Sequence, residues 1–237
     1  MIPAVFIPGL LCTDALFDGQ RAGLVGQLEI SIGDISEADS IAAMARKILD
    51  QAPENFVLLG FSMGGVVALE IMRQASQRVR GLILADTGAR ADTPEQAGRR
   101  KEFVEFAESS GLEQAMRKSL SLLLHEERQN DEALIGKFLG MAEELGLEVF
   151  RRQQSALASR EDYRLELRSI ACPSLVLCGG DDAMTPPELS HELTAGIPGA
   201  RLEIIADCGH LSVLERPDEV NAVVSRFVAE AVERESA

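Results

Sequence analysis

The stretch Phe56-Val-Leu-Leu-Gly-Phe-Ser62-Met-Gly64 constrains this chain more than any other. Its opening run is apolar throughout, which suits a strand covered on both faces, as in a parallel sheet. A helical pattern, Val66-Val-Ala-Leu-Glu-Ile-Met72, follows directly. Between them, Gly60-Phe-Ser62-Met-Gly64 fits Gly-x-Ser-x-Gly in its required setting, a strand-to-helix turn with serine at the tip. The glycines let strand and helix pass closely, and the helix N-terminus favours negative charge developing beside it. The plain alternative is a glycine-rich turn with an incidental serine. The flanking strand and helix make Ser62 a candidate nucleophile instead.

The rest of the chain repeats the alternation. Strands are expected at about 4–7, 28–32, 56–61, 79–86, 174–179 and 201–205, and helices at about 40–51, 64–74, 187–195 and 217–233. Alternation of this kind implies crossover connections and a mostly parallel α/β sheet of about six strands flanked by helices. From about residue 89 to 169 no strand pattern appears. Amphipathic helical stretches such as 102–108 and 112–124 take over, with Gly111, Gly140 and Gly146 as expected punctuation. Residues 1–88 and 170–237 therefore read as one core, and 89–169 as an all-helical insertion.

Partners for Ser62 are few. The histidines are His125, His191 and His210. The first falls in the insertion and the second inside an expected helix, where a packed or solvated side chain is the simpler reading. His210 follows the last expected strand. In a parallel sheet, functional loops gather outside the carboxyl ends of the strands, so His210 shares an edge with Ser62 and is the candidate general base. The acid comes from the loop after the preceding strand, Gly179-Gly-Asp-Asp182-Ala-Met-Thr-Pro186. Pattern alone leaves Asp181 and Asp182 equal, with Asp86 at the end of its own strand a weaker third.

Composition narrows the partners. The formal net charge of −15 opposes binding to nucleic acids or anionic lipid. No window approaches the roughly 18–20 apolar residues of a membrane span. The apolar start through Leu11-Cys12 lacks the basic residues of a secretory leader, so a cytoplasmic location is expected. Cys172 and Cys178 bracket one expected strand and lie roughly 20 Å apart at 3.3 Å per residue. A disulfide needs Cα atoms within about 7 Å, so free thiols are expected. The dispersed histidines give no metal-ligand spacing, and no metal or cofactor is expected.

These residues together resemble the α/β-hydrolase fold superfamily, over nearly the whole chain. The order Ser62, Asp182, His210 is similar to that family's triad order. Phe6-Ile-Pro-Gly-Leu10 resembles its oxyanion loop, Gly60-Phe-Ser-Met-Gly-Gly65 its nucleophile elbow, and Cys208-Gly-His210 with Glu215-Arg-Pro217 its histidine loop. The acid loop resembles the family's where aspartate stands four residues before proline, which implies Asp182 over Asp181. The backbone N–H groups of Leu10 and Met63 are implied as the oxyanion hole. Two features depart from the pattern. Pro8-Gly9 replaces the usual His-Gly, which alters the pocket wall but not the backbone donors. The first two antiparallel strands are missing, so the core starts at the third. The insertion resembles the superfamily's helical cap, and Phe103, Phe106, Leu120 and Leu124 are its candidate pocket residues, although helical stripes are more often plain core.

The resemblance implies a serine hydrolase cleaving a small carboxylic ester through an acyl-enzyme. With the same triad, the alternatives are thioester, lactone, amide or carbon–carbon hydrolysis, or perhydrolysis. From another class, a small-molecule receptor can be built on the same fold.

Overall fold

The computed structural model describes residues 1–235. Six strands form one sheet: β1 (Ile2–Ile7), β2 (Leu28–Ile32), β3 (Phe56–Phe61), β4 (Val79–Ala85), β5 (Ser174–Gly179) and β6 (Arg201–Ile205). Every neighbouring pair is parallel, in the order β2-β1-β3-β4-β5-β6. The chain moves outward from β1 to β2 and then crosses back to β3 on the other side, so the strand order reverses between β1 and β3. Such a reversal opens a crevice at the carboxyl edge. The register aligns that edge: Ile7 lies opposite Gly60, Phe61 opposite Ala85, Ala85 opposite Leu177, and Gly179 opposite Ile205.

Alternation along each strand feeds two apolar layers. Val5, Ile7, Leu58 and Val176 pack with α2 (Ile41–Gln51), α3 (Met63–Ala75) and α7 (Pro187–Gly196) through Met44, Val67 and Leu193. Phe6, Leu59, Phe61 and Leu177 point into the other layer. The closing helix α9 (Pro217–Glu235) contributes Val220, Val224 and Phe227 to it, and short α8 (Ser212–Glu215) contributes Val213. A short helix, α1 (Asp18–Gly23), which the sequence pattern did not suggest, lies against α9.

Between β4 and β5 the chain is helical: α4 (Pro94–Ser110), α5 (Leu112–Leu123) and α6 (Glu132–Ala158), with short 3-10 turns between. The start of α4 is written in Thr93-Pro-Glu-Gln96. Thr93 Oγ1 accepts from the Gln96 amide at 3.2 Å, and Gln96 Oε1 accepts from the Thr93 amide at 2.8 Å, a reciprocal capping box. The two ends of this helical segment are tied together, near where it leaves β4 and where it returns towards β5. The Tyr163 amide donates to Ala89 O at 2.8 Å, and the buried Asp92 carboxylate pairs with Arg160 at 2.9 Å and with Arg100.

Two expectations need correction. Gly140 does not end a helix; it sits exposed inside α6, where glycine costs roughly 1 kcal/mol against alanine without stopping the turn. The fourth strand ends at Ala85, because Asp86 turns into a left-handed conformation at φ 48°. Gly146, by contrast, does break α6, with φ 75° and ψ 178°.

That conformation is open to glycine and closed to residues with a Cβ, at a cost of roughly 1–3 kcal/mol. Nothing lies within 4 Å of a Cβ placed at Gly146, so alanine there tests the backbone alone. Gly146→Ala is expected to lower the melting temperature by about 2–12 °C, since the cost is roughly 1–3 kcal/mol and 1 kcal/mol moves a domain of this size by about 2–4 °C. An unchanged melting temperature in calorimetry would contradict the break at this position.

Candidate active site

The Gly-x-Ser-x-Gly turn forms as its sequence demands. A Cβ at Gly60 would stand 2.4 Å from Gly64 O, and one at Gly64 would stand 2.1 Å from Ile7 O and 2.6 Å from Pro8 O. Only hydrogens fit, and the close approach presses the start of α3 against the end of β1. Ser62 is held at φ 53° and ψ −116°, as the residue preceding α3. Thr87, just after β4, locks it, its hydroxyl donating to Ser62 O at 2.7 Å.

Among the described residues, four other than glycine have positive φ: Leu11, Ser62, Asp86 and Asp207. They follow β1, β3, β4 and β6, so all four stand at the carboxyl edge. Each costs roughly 1–3 kcal/mol and persists only where its surroundings hold it, which marks this edge as the place where the fold stores strain.

Three side chains meet there. The Ser62 hydroxyl lies 2.9 Å from His210 Nε2, and His210 Nδ1 lies 2.8 Å from Asp182 Oδ2. His210 and Asp182 are buried, while Ser62 keeps some exposure. Asp182 is fastened within its own turn. Its Oδ1 accepts from the amides of Met184 and Thr185, both at 2.8 Å, and its Oδ2 accepts from Thr185 Oγ1 at 2.6 Å. Burial opposes charge on both partners. The imidazole and these hydrogen bonds outweigh it for Asp182, whose pKa falls below the ordinary carboxylate value. The Asp182 carboxylate likewise outweighs burial for His210 and raises its pKa above the ordinary imidazole value.

The rival acids are occupied elsewhere. Asp181 is exposed, and its carboxylate faces His125 Nε2 at 3.7 Å. Asp86 is wholly buried; its Oδ1 accepts from the Gly179 amide at 2.9 Å and its Oδ2 bonds the Ser212 hydroxyl. Burial pushes the Asp86 carboxyl up to about 8. His191 is exposed on α7.

Asp86, Cys178 and Asp182 bring three potential ligand atoms within 4.8 Å. The set suits a metal poorly. Asp182 is committed to His210 and its own turn, Asp86 to the Gly179 amide and the Ser212 hydroxyl, and burial pushes the Cys178 thiol up to about 12. Cys12 is pushed equally high, and all four cysteines are free.

Buried Glu215, unremarked in the sequence except as a motif position, holds the histidine loop. Its Oε1 accepts from the Gly209 amide at 3.1 Å and its Oε2 from the His125 amide at 3.0 Å. The Leu211 amide donates to Leu123 O at 3.1 Å. The end of α5 is thereby fastened to the loop carrying His210.

The family pattern of alpha/beta hydrolases matches residues 14–223. The chain belongs to the alpha/beta hydrolase family. It is 30% identical, over 96% of its length and 86% of the relative's, to a Mycobacterium tuberculosis protein that bears the name non-heme bromoperoxidase BpoC. It is 28% identical to a pimeloyl-[acyl-carrier protein] methyl ester esterase of Nitrosomonas europaea, across 76% of this chain and 74% of that one. Among solved structures, a thermophilic esterase from Thermogutta terrifontis superposes with a TM-score of 0.89 at 27% identity, covering 98% of this chain and 90% of that one.

In this alpha/beta hydrolase the four residues expected to line a pocket have definite neighbours. Phe103 packs edge-on against Phe150, ring centres 5.6 Å apart, joining α4 to α6. Phe106 lies under the Lys118 ammonium at 4.7 Å. Leu124 is buried and Leu120 half-buried in the same apolar cluster. A separate cleft of about 310 Å³, lined by Gly19, Arg128, Leu134, Lys137, Val213 and Pro217 among others, touches none of Ser62, Asp182 and His210. Among the described residues, no helix is long and apolar enough to cross a membrane.

Proposed function

We propose that this protein is a serine hydrolase cleaving a small carboxylic ester. The observation that carries the proposal is the unbroken hydrogen-bond chain from Asp182 through His210 to Ser62. Ser62 Oγ attacks the ester carbonyl and its proton passes to His210 Nε2, while Asp182 fixes the imidazole with Nδ1 protonated. The negative charge on the former carbonyl oxygen is met by the amides of Leu10 and Met63. They belong to the two segments, after β1 and at the start of α3, that the Gly64 contact presses together. His210 returns its proton to the departing alcohol, leaving an acyl group on Ser62. Water activated by the same imidazole then releases the acid. Helices α4, α5 and α6 act as a cap whose apolar residues, Phe103, Phe106, Leu120 and Leu124, offer the acyl chain its surroundings.

The test is turnover of a panel of p-nitrophenyl esters, thioesters and lactones. Highest kcat/KM on a short ester is the expected result. A panel without turnover, but with saturable binding, would favour a receptor. The name of the Mycobacterium tuberculosis relative supports one second reading, in which hydrogen peroxide replaces water and carries the acyl group away as a peracid. Peracid formation from ester and peroxide would distinguish it.

The proton-transfer role also fixes a pH dependence. The base must be neutral, and its pKa lies above the ordinary imidazole value of about 6.5. kcat/KM is therefore expected to fall as pH drops, with a midpoint above about 6.5. A flat profile between pH 5 and 8 would contradict His210 as base.

A further inference from the structure

Leu10 precedes a residue in a costly conformation. Gly9, Leu10, Leu11 and Cys12 form a turn closed by the Cys12 amide donating to Gly9 O at 3.1 Å. Leu11, third in the turn, has φ 53° and is fully buried. Glycine is the usual residue there, because a Cβ crowds the backbone. The strain is relieved if the Leu10–Leu11 peptide flips, which converts the turn to the common form with negative φ throughout. The flip would turn over the Leu10 carbonyl and the Leu11 N–H; the Leu10 N–H belongs to the adjoining Gly9–Leu10 peptide, which lies beside the nucleophile, since a Cβ at Gly9 would stand 3.3 Å from Cβ of Ser62.

Two side chains hold this peptide: the Cys12 thiol donates to Leu10 O at 3.4 Å, and Gln153 reaches it from α6. Gln153 is fully buried, and its Oε1 accepts from the Leu11 amide at 2.8 Å. Its Nε2 donates to Ile35 O at 3.3 Å, so the amide is anchored at both ends and its oxygen must face Leu11. A flipped peptide would turn the Leu10 carbonyl towards that oxygen and leave a buried donor and acceptor unmet. Next to it, Arg152 binds Ser36 O at 3.2 and 2.8 Å, fixing α6 to the loop after β2 without touching the turn.

We infer that Gln153, on α6, is a positioning residue that anchors the Gly9–Cys12 turn through the Leu11 amide and so fixes the place of the adjoining Gly9–Leu10 peptide, whose N–H faces the oxyanion. This rests on the reading of Ser62 as nucleophile and Leu10 as oxyanion donor.

The experiment follows labelling by a fluorophosphonate. Ser62 Oγ attacks phosphorus, fluoride leaves, the proton passes to His210, and the phosphoryl oxygen occupies the oxyanion position. Gln153→Leu is expected to lower the second-order labelling rate about a hundredfold, the scale of a small misplacement at a reacting centre. In ester turnover the same variant is expected to lose kcat with KM within about threefold, and to keep the midpoint of its pH profile, because His210 and Asp182 are untouched. Gln153→Met, unbranched and close in volume, is expected to show the same loss and replaces the leucine variant where that does not fold. Gln153→Glu, protonated at so buried a site, accepts and donates as glutamine does and is expected to recover to within about fivefold of wild type. Arg152→Leu is expected to label at the wild-type rate.

A folded Gln153→Leu that labels within threefold of wild type, while Ser62→Ala does not label, would overturn the inference and leave the nucleophile standing. Equal losses in Gln153→Leu and Arg152→Leu would also overturn it, by reducing Gln153 to attachment of the helix. Labelling of Ser62→Ala at the wild-type rate would remove the underlying reading and the inference with it.

Discussion

Ser62→Ala is expected to lower kcat/KM for a short ester by at least about a thousandfold, or about 4 kcal/mol of transition-state stabilisation. No other group is placed to substitute for it. The hydroxyl is the one that His210 Nε2 meets, at 2.9 Å, and burial keeps the Cys12 and Cys178 thiols protonated with pKa values of about 12. The loss comes without unfolding. Alanine at φ 53° is strained as serine is, the Thr87 bond to the backbone oxygen remains, and a single side-chain hydrogen bond disappears. Such a bond contributes about 1 kcal/mol, so the melting temperature is expected to move by no more than about 4 °C. Turnover within tenfold of wild type, in a protein of unchanged melting temperature, would overturn the assignment.

The second large effect separates two adjacent carboxylates. Asp182→Asn keeps the shape of the side chain, and its oxygen can still accept from the amides of Met184 and Thr185. Its NH2 then faces His210 Nδ1, which must accept, so the ring proton moves to Nε2 and points at Ser62. A base presenting a proton cannot take one, and a loss of about ten-thousandfold in kcat is expected. The pH profile shifts as well. The carboxylate that raised the His210 pKa is gone while burial remains, so the acid-side midpoint is expected to move to lower pH. Asp181→Asn, exposed and 3.7 Å from His125, is expected to change kcat by less than about threefold. Stopped-flow or steady-state kinetics of the two variants decide the order, and a larger loss in Asp181→Asn would contradict it.

The parts of this fold legible in the sequence are those encoded by local pattern. The apolar run 56–60 reads as a buried strand because a parallel sheet covered on both faces leaves no polar side to mark. The elbow reads from its glycines because strand and helix touch there. Position after the strand does not separate Asp181 from Asp182; only the family resemblance, through the spacing to Pro186, favours Asp182. Burial and the turn around Thr185 separate them, and neither is a property of the dipeptide. Asp86 looked like strand end and acid alike. In the fold it turns inward at φ 48° to meet Gly179 and Ser212. Phe103 and Phe106 sit on the helical stripe that suggested a pocket; Phe103 also packs against Phe150 and Phe106 under Lys118, neighbours that the spacing of the stripe does not name. Gln153 gave no signal at all. It is one glutamine on a long helix, and its partner Leu11 lies 142 residues away.

The central claim is that catalysis passes through a covalent bond at Ser62. The most direct measurement uses p-nitrophenyl dimethylcarbamate, whose carbamoyl-enzyme hydrolyses slowly enough to isolate. Intact-mass analysis and peptide mapping after one equivalent of p-nitrophenol is released are expected to find a single carbamoyl group on Ser62, formed faster as pH rises through the His210 midpoint. Release of p-nitrophenol with the carbamoyl group on another residue, or ester turnover in a protein that never carries an acyl group, would contradict the account.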